Sequence, residues 1–270
     1  MREKARAKVN LALHVLGRRA DGYHELDTLF AFTEAGDELE ASPADALSLE
    51  IAGPFARGLE PGDNLVLRAA EALRKRYAVA GGAALRLDKR LPVAAGLGGG
   101  SADAAAALRL LVRLWGLDSA EADLLDLAAT LGADMPACLL SRTIRGQGKG
   151  DRLTRADLSL AGTPILLVNP GAALATADVF RRWTGPGSGS LPADALTGGN
   201  DLEPAAIALA PAVGELLERL RGCSGATLAR MSGSGATCFA LFESAAARDA
   251  SGAAIAAERP GWWRLATCLV

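Results

Sequence analysis

The residues that could bind a phosphate lie in a glycine-rich segment, Gly96-Leu97-Gly98-Gly99-Gly100-Ser101. This segment separates a stretch of alternating polarity over residues 83–89, which predicts a strand, from an amphipathic stretch that predicts a helix over residues 102–115. Glycines let the backbone come close to a ligand, and free N–H groups at the start of a helix favour an anion. Ser101 could cap this helix or donate to a phosphate. We therefore interpret the segment as an anion site rather than as a flexible turn.

The segment matches neither of the two common nucleotide-binding motifs. A Walker A motif requires Lys and then Ser or Thr after its last glycine, whereas Ser101-Ala102-Asp103 follows here. The G-x-G-x-x-G spacing of dinucleotide-binding loops is not met either. Because the loop has no lysine of its own, the positive charge that a phosphate needs must come from elsewhere, and Lys8 is a candidate. Arginine greatly outnumbers lysine in this chain, which draws attention to each lysine that is present.

Lys8 lies on a predicted strand. Apolar and polar residues alternate from Ala5 to Val15, and the polar positions place Lys8 and Asn10 side by side, so the pattern indicates a half-buried strand. A helix is predicted to follow Gly62-Asp63-Asn64 and to run to about Tyr77, with Asp63 or Asn64 as its cap.

Another helix is predicted to begin at Asp118 or Ser119 and to end at Gly132. The residues Gly132-Ala133-Asp134-Met135-Pro136 then predict a turn, with Pro136 suited to a first helical position.

The part of the chain after residue 160 has a different order of predicted elements. Strands are predicted over residues 163–168, 226–231, 237–242 and 263–270, and helices over residues 202–220 and 243–257, the first of them broken near Pro211. This βαββαβ order is typical of the ferredoxin-like unit. The segment from Trp183 to Gly199 is rich in Gly, Pro and Ser and is interpreted as a surface loop.

Composition excludes several classes of function. The chain has 270 residues, a net charge of −2 and ordinary apolar content, and it carries no basic stripe, so we expect no nucleic-acid partner. No run of about 18 apolar residues predicts a membrane span, and the N-terminus lacks an apolar signal segment, so we expect a cytoplasmic protein. With only two histidines and no C-x-x-C pair, a structural zinc site is not expected, and the cysteines are interpreted as buried thiols. The four cysteines are Cys138, Cys223, Cys238 and Cys268.

The segment from Leu91 to Ala105 resembles the ATP loop of the GHMP kinases, the superfamily of galactose, homoserine, mevalonate and phosphomevalonate kinases. Other blocks are similar, within that superfamily, to the family of 4-diphosphocytidyl-2-C-methyl-D-erythritol kinases. They occur in that family's order and span nearly the whole chain. These blocks are Ala7-Lys8-Val9-Asn10-Leu11, Asp21-Gly22-Tyr23-His24, Asn64-Leu65, Gly132-Ala133-Asp134-Met135-Pro136, Asn169-Pro170-Gly171, Asn200-Asp201-Leu202-Glu203 and Met231-Ser232-Gly233-Ser234-Gly235-Ala236.

The resemblance implies an α+β fold with two domains and the active site between them. Residues 1–155 would form the N-terminal ATP-binding domain, an α/β domain like that of ribosomal protein S5, and residues 156–270 a C-terminal ferredoxin-like domain. It also implies ATP and Mg²⁺ as cofactors. The acceptor would be a small molecule with a cytidine diphosphate moiety, phosphorylated on its 2-hydroxyl in the methylerythritol phosphate route to isoprenoid precursors. We expect a monomer or a weak homodimer.

The same resemblance suggests roles for individual residues. Asp134 would face the acceptor hydroxyl with Lys8 beside it, and both would be catalytic. A carboxylate is too weak a base to deprotonate an alcohol fully, so Asp134 would orient the hydroxyl and take its proton late. No residue is marked as a Mg²⁺ ligand. The implied ATP-binding residues are Pro92, Ala94, Ala95, Gly96, Leu97, Gly98, Gly99, Gly100, Ser101 and Ala102.

Four residues are implied to bind the acceptor. Tyr23 and His24 would hold its cytosine, Phe180 would form the other face of that pocket, and Asn10 would bind a polar part. His14 is interpreted as structural. The stretch ending at Asp151 departs from the family pattern, which has Glu there, and no role is assigned to it. The Ser232–Gly235 stretch is a hairpin turn by itself, but the resemblance puts it near the active site.

Three other functions remain open at this point. The chain could be another GHMP kinase with a simpler alcohol as acceptor. The Asp-Gly-Tyr-His block argues against that, because a simpler alcohol has no cytosine for such a pocket to bind. It could be a catalytically silent nucleotide-binding protein, against which the presence of Lys8 and Asp134 argues. It could also be a ligand-binding regulator that uses no ATP, which stabilisation by ATP on heating would test.

Overall fold

The computed structural model describes residues 1–156 and 158–270, and its contacts divide the chain into two compact units. The first unit consists of Met1–Lys8, Ala35–Val93 and Gly98–Ser141. The second consists of Val9–Glu34, Ala94–Leu97 and Arg142–Val270. Both units are assembled from separate segments, so the predicted division of the chain after residue 155 stays a prediction.

The first unit has a mixed sheet with four helices. It contains the start of strand β1 (Arg2–Arg18) and the end of strand β2 (His24–Ala44). The remaining elements are β3 (Leu47–Ala52), β4 (Gly82–Asp88), α1 (Leu65–Arg76), α2 (Gly99–Trp115), α3 (Glu121–Leu131) and α4 (Met135–Leu140). In the sheet, β2 pairs antiparallel with β4, and β3 pairs parallel with β4.

Helix α2 is at the centre of the packing in the first unit, because it contacts both α1 and α4. Its buried face is built mainly from alanines at positions 102 and 104–107, followed by Leu108, Leu110 and Leu111. Small side chains at the start of the helix let neighbouring backbone come close, and the larger leucines fill the space further along. The glycine-rich segment is thus attached to a well-packed helix.

The local predictions for this unit are partly correct. Strand β1 is confirmed, but it is not half-buried, because every residue from Ala7 to Val15 is buried. Asn64 caps α1 by accepting from the backbone N–H of Val66 at 2.9 Å, as expected. Helix α3 begins at Glu121 with Ala120 at its N-cap, so neither Asp118 nor Ser119 opens it.

Helix α2 begins at Gly99, earlier than predicted, and Gly98 is its N-cap. Ser101 therefore lies inside the first turn and does not cap the helix. The prediction missed this turn because glycine is a poor helix former, and the pattern of amphipathic residues starts only after it. Two of the loop glycines thus belong to the helix itself, so their N–H groups are part of its N-terminal turn.

In the second unit, the start of β2 pairs antiparallel with β5 (Ile144–Gly148), and β5 pairs with β6 (Arg152–Arg155). Neither short strand was predicted, because this stretch is rich in glycine. Packing requires a glycine at position 146, since a Cβ there would lie 2.6 Å from Cε2 of Phe30. The glycine accommodates a neighbouring aromatic ring within a strand rather than a turn.

The rest of the second unit consists of a second sheet and its helices. The elements are β7 (Pro164–Asn169), α5 (Thr176–Arg182), α6 (Glu203–Leu209), α7 (Pro211–Arg221), β8 (Ala226–Met231), β9 (Cys238–Phe242), α8 (Ala245–Glu258) and β10 (Trp263–Cys268). The strands have the order β10-β7-β9-β8, and all their pairs are antiparallel. The βαββαβ order is confirmed, and so is the break near Pro211, where α6 ends and α7 begins. Helix α5 was not predicted.

An apolar core joins this sheet to its helices. Leu166 and Val168 of β7 and Phe242 of β9 are buried in it, together with Leu216 and Leu217 of α7. Alternate residues of each strand point to the same face of the sheet. The helices pack against the face that carries these apolar residues. The core fixes the β8–β9 connection and the residues after β7.

The composition led us to expect buried cysteine thiols and no membrane-spanning segment. Cys138 and Cys238 are buried, as expected, whereas Cys223 and Cys268 are only partly buried, and all four are free thiols. Burial raises the pKa of the Cys138 and Cys238 thiols well above the usual value. None of the helices in residues 1–156 and 158–270 has the length and apolar character that crossing a membrane requires.

Candidate active site

The first unit brings Lys8 and Asp134 together. Lys8 lies on β1 with its side chain 6% exposed, and its Nζ is 3.0 Å from Oδ2 of Asp134, whose side chain is 35% exposed. Asp134 occupies the N-cap position of α4, but its side chain makes no capping hydrogen bond in the described structure. The carboxylate is therefore held by a buried ammonium while part of it remains open to a ligand.

Gly98 lies against the same lysine. Its φ of +61° is in the left-handed region, and a Cβ at this position would lie 2.9 Å from Cε of Lys8. Both observations require glycine here. The loop that lacks a lysine of its own thus receives one from β1, as the sequence suggested.

The start of α2 offers backbone N–H groups to an anion. Gly98 has no side chain to cap the 17-residue helix, and no side-chain capping bond to the first N–H groups of α2 is made within residues 1–156 and 158–270. The helix dipole adds a partial positive charge at the same end. With Lys8 beside Gly98, this end of the helix can hold phosphate oxygens. Ser101 is in the first turn and partly exposed, so its hydroxyl is available to the same ligand.

A second lysine approaches the loop, and the sequence prediction missed it. A Cβ on Gly99 would lie 3.0 Å from Nζ of Lys89, which follows β4 and is almost completely buried. The ammonium of Lys89 contacts Asp37 and lies 2.7 Å from Oδ2 of Asp103. The scarcity of lysine was the only sequence signal that pointed to Lys89, and it did not reveal the two aspartates.

Residues 94–97 of the loop belong to the second unit. Ala94 has φ of +52° and Gly96 has φ of +76°, an alternation of backbone conformation that can turn successive N–H groups toward one anion. A Cβ on Gly96 would lie 2.4 Å from the carbonyl oxygen of Ser232. The β8–β9 turn that contains Ser232 is therefore packed directly on this part of the loop. Pro92 precedes these residues and is partly exposed.

Ser232 connects the two glycine-rich stretches by hydrogen bonds. Its Oγ donates to the carbonyl oxygen of Gly96 at 2.9 Å and accepts from the backbone N–H of Asn10 at 3.1 Å. The backbone N–H of Thr237 donates to the carbonyl oxygen of Ala95 at 3.2 Å. The turn is thus more than a hairpin connection, because it supports residues 94–97.

Asn10 is engaged within the protein. Its side chain is almost fully buried, and Nδ2 donates to Oγ1 of Thr28 at 2.8 Å. Oγ1 of Thr28 in turn donates to the carbonyl oxygen of Ala12 at 2.7 Å. These bonds fix the side chain of Asn10, and its contact with an acceptor stays a prediction.

The second unit also brings His24 and Phe180 together. Their ring centroids are 4.7 Å apart with an angle of 32° between the planes, and Trp183 meets His24 edge-on at 5.8 Å. Trp183 was not predicted as a site residue, although it lies close in sequence to Phe180. Nε2 of His24 is buried and makes no hydrogen bond with any described residue. Such an atom can bind a polar edge of a ligand.

Electrostatics favours the neutral form of His24. Burial, and then the positive charge of Arg18, lower its pKa below the usual 6.5. A neutral imidazole has one donor and one acceptor nitrogen, which suits hydrogen bonding to a nucleobase edge. The same shift makes His24 a poor carrier of protons at neutral pH.

Tyr23 is placed differently from its neighbour. It is 57% exposed, and Nζ of Lys149 lies 5.0 Å from its ring centroid. A base between two rings needs about 7 Å, since each carbon contact takes roughly 3.5 Å. His24 and Phe180 are too close for a base to enter between them, so a base would stack on an outer face of one of these rings.

Two residues without an assigned role are structural. His14 Nδ1 lies 2.8 Å from the carbonyl oxygen of Gly189, and its Nε2 accepts from the N–H of Gly199 at 3.2 Å, which fixes the segment from Trp183 to Gly199. Asp151 accepts from the backbone N–H of Lys149 at 3.1 Å and closes a turn.

Known proteins resemble the chain over its whole length. The family model described as GHMP kinases N terminal domain matches residues 64–142, and the one described as GHMP kinases C terminal matches residues 180–258. A protein of Rhizorhabdus wittichii named 4-diphosphocytidyl-2-C-methyl-D-erythritol kinase is 55% identical, with 99% of this chain and 94% of that protein covered. A protein of Sphingopyxis alaskensis with the same name is 50% identical, with 100% and 98% covered.

A solved structure agrees in fold and sequence. The crystal structure of a 4-(cytidine 5'-diphospho)-2C-methyl-D-erythritol kinase superposes with a TM-score of 0.83 at 37% identity, covering 100% of this chain and 99% of that one. The predicted two-domain α+β GHMP kinase fold is confirmed. The chain belongs to the GHMP kinases and, within them, to the family of 4-diphosphocytidyl-2-C-methyl-D-erythritol kinases.

Proposed function

We propose that the protein transfers the γ-phosphoryl group of ATP to the 2-hydroxyl of 4-diphosphocytidyl-2-C-methyl-D-erythritol, in the methylerythritol phosphate route to isoprenoid precursors. The observation that carries the proposal is the 3.0 Å pair of Lys8 and Asp134 beside Gly98, at the start of α2. The names of relatives that are 50–55% identical supply the acceptor. The protein would act as a cytoplasmic enzyme, as a monomer or weak homodimer.

Phosphoryl transfer depends on positioning and charge neutralisation more than on covalent chemistry by the protein. The N–H groups of residues 99–101 would bind phosphate oxygens, and the dipole of α2 would favour their negative charge. Lys8, packed against Gly98, would neutralise charge that develops on the transferred group. A buried lysine is effective here because its charge is little screened by water.

Asp134 would act on the acceptor hydroxyl. Its pairing with Lys8 fixes the carboxylate, and its 35% exposure leaves an oxygen that a hydroxyl can approach. The carboxylate would accept a hydrogen bond from the hydroxyl and take the proton as the O–P bond forms. The proton is then on Asp134 and the phosphoryl group on the acceptor oxygen, while ADP leaves.

The cytosine of the acceptor would bind at His24 and Phe180. The buried Nε2 of His24 supplies a hydrogen-bonding atom that the described residues leave unsatisfied. The ring of Phe180, or the exposed ring of Tyr23, supplies a stacking face. A pocket of this kind distinguishes a cytidylated acceptor from a small polyol.

Mg²⁺ would enter with ATP. No three His, Cys, Asp or Glu side chains form a metal-binding cluster among the described residues. Mg²⁺ in kinases is commonly held by one or two carboxylates together with substrate phosphates and water. Ser101, whose partly exposed side chain lies in the first turn of α2, would contribute its hydroxyl to that arrangement, and Mg²⁺ would supply charge neutralisation on the phosphates.

The experiment that tests this proposal follows ATP consumption by the purified protein with Mg²⁺. The acceptors are 4-diphosphocytidyl-2-C-methyl-D-erythritol, the same polyol without cytidine diphosphate, mevalonate and homoserine. Asp134→Asn is the matched control for the site. We expect turnover only with the cytidylated acceptor, and its loss in the variant.

Other outcomes would change the conclusion in defined ways. Turnover with mevalonate or homoserine would keep the phosphate site but contradict the cytosine pocket at His24. Absence of turnover with every acceptor, despite binding of ATP, would favour a silent nucleotide-binding protein. Turnover that persists in Asp134→Asn would contradict the role of that carboxylate.

A further inference from the structure

A buried cluster of one lysine and two aspartates lies beneath the start of α2. The side chain of Lys89 is 4% exposed, that of Asp37 is 0% exposed and that of Asp103 is 4% exposed. Lys89 directly follows β4, Asp37 lies on β2 and Asp103 lies on α2. Burying three charged groups is costly unless they satisfy one another, so such a cluster requires a reason.

The cluster holds the first part of the glycine-rich loop. Oδ1 of Asp37 accepts from the backbone N–H groups of Arg90 and Leu91, at 2.5 Å and 2.7 Å. These residues are the first that follow Lys89 and lead into the loop. The other carboxylate oxygen of Asp37 contacts the ammonium of Lys89. The chain that enters the loop is therefore tied to this ammonium.

The cluster also holds the end of the loop. Oδ2 of Asp103, on α2, accepts from Nζ of Lys89 at 2.7 Å. The same Nζ lies 3.0 Å from where a Cβ on Gly99 would be, so the ammonium is in contact with the first residue of the helix. One ammonium thus anchors both ends of the segment that runs from Leu91 to Asp103.

We propose that Lys89, with Asp37 and Asp103, is a positioning residue that sets the distance between the two ends of the glycine-rich loop and so shapes the loop for the phosphates of ATP. The inference rests on the proposed kinase function and adds a residue to its ATP site. The ammonium of Lys89 is engaged by the carboxylates of Asp37 and Asp103, so Lys89 acts through the backbone of residues 90–91 and 99 rather than as a ligand of the nucleotide.

The charges in the cluster fit a rigid anchor. Burial alone would lower the pKa of Lys89, but the carboxylates of Asp103 and Asp37 outweigh it and the pKa lies above its usual value. A lysine held charged by two partners keeps its donors directed at them.

The test measures binding of MgATP and of adenosine to the purified protein without any acceptor. The variants are Lys89→Met, which keeps the length but removes the charge, and Asp103→Asn, which keeps the size. Lys75→Met is the matched control, since Lys75 is an exposed lysine in the last turn of α1. We expect Lys89→Met to weaken MgATP roughly tenfold or more, with adenosine unchanged. Asp103→Asn should weaken MgATP in the same direction by a smaller factor.

Equal weakening of MgATP and adenosine by Lys89→Met would show that the cluster only stabilises the fold, and would overturn the proposal. Unchanged MgATP binding would overturn it as well. If Lys89→Met does not fold, Asp103→Asn decides between the same outcomes. Because no acceptor is used, a wild-type protein that binds MgATP but phosphorylates no acceptor would contradict the proposed acceptor and leave this inference standing.

Discussion

Gly98 and Lys8 are in such close contact that a Cβ on the glycine would lie 2.9 Å from Cε of the lysine. The contact explains how a loop without a lysine can serve a phosphate, because β1 supplies the charge where the loop turns into α2. It also couples two residues that are far apart in sequence. A change at either position should therefore affect both the shape of the loop and its charge.

Gly98→Ala should destabilise the protein. A left-handed φ of +61° costs a non-glycine residue about 1–2 kcal/mol, and the added Cβ would displace Lys8. We expect the free energy of unfolding in urea to fall by at least that amount.

Gly100→Ala is the matched control for that measurement. Gly100 is helical, and a Cβ added to it would meet no neighbouring group within 4 Å, so the alanine should raise stability by roughly 1 kcal/mol through helix propensity. If Gly98→Ala were as stable as the wild type, the close contact with Lys8 would not require a glycine.

Asp134→Asn should lower kcat roughly 10²–10⁴-fold, with little change in the affinity for MgATP. Asn has the size of Asp but cannot take a proton. Because the Asp134 side chain makes no capping bond to α4 within the described structure, the fold should be retained, which thermal unfolding can check. An Asp134→Asn variant that keeps near-full kcat would contradict the proposed role of Asp134 as the proton acceptor.

Lys8→Arg should be inactive or nearly so, because an arginine cannot replace Lys8 in the reaction. A planar guanidinium distributes its charge differently from a compact ammonium, and the side chain of Lys8 is 6% exposed and in contact with Gly98. Steady-state kinetics of this variant, alongside Asp134→Asn, would show whether charge alone suffices at this position. Wild-type-like kcat would indicate that it does.

Much of the fold could be predicted because local patterns determine it. The βαββαβ order was readable from short apolar runs bounded by turn residues. Strand β2 was missed although it has 21 residues, because Leu29, Phe30, Ala31 and Phe32 are consecutive and all buried, so no alternation marks them. Strand β5 was missed because Gly146, which looks like a turn residue, accommodates the ring of Phe30.

The site could be predicted only where a motif carries it. Lys8 and Asp134 were predicted from sequence blocks that match the kinase family, and the structure places their side chains in contact. Lys89 lies in no motif that matches the family. Its partners Asp37 and Asp103 are 52 and 14 residues away in sequence, so no regular spacing indicates that the three side chains meet. Trp183 was missed for a similar reason, since its contact with His24 depends on how α5 ends.

The pKa of His24 should be measurably low. Burial and the charge of Arg18 disfavour the imidazolium in the folded state. The unfolded state therefore binds more protons between the folded pKa and the usual 6.5, and stability falls as the pH drops through that window. An NMR titration should give a midpoint below 6.5, with His24→Phe assigning the signal, since the chain has only two histidines. A midpoint at or above 6.5 would contradict a partly buried, neutral ring.

Glu3 should stabilise the helix that carries Asp134. Arg109 donates to Oε1 of Glu3 at 2.8 Å and to the carbonyl oxygens of Cys138 and Leu139 at 2.8 Å and 3.1 Å, at the end of α4. Burial works against the charge of Glu3, but the hydrogen bonds and charges of Arg109 and Arg113 outweigh it and lower its pKa. The stabilisation is therefore present above the usual Glu pKa and is lost as the pH falls through the lowered value.

Glu3→Gln should then lower the free energy of unfolding by about 1–2 kcal/mol at pH 7, and the difference from the wild type should shrink in acid. Urea unfolding at several pH values measures this. Glu40→Gln is the matched control, because the pair of Glu40 with Arg2 is exposed and such pairs contribute about 0–1 kcal/mol. A Glu3→Gln effect that stayed constant down to acid pH would show that the charge of Glu3 does not hold Arg109. Since Arg109 anchors α4, kcat should fall along with stability.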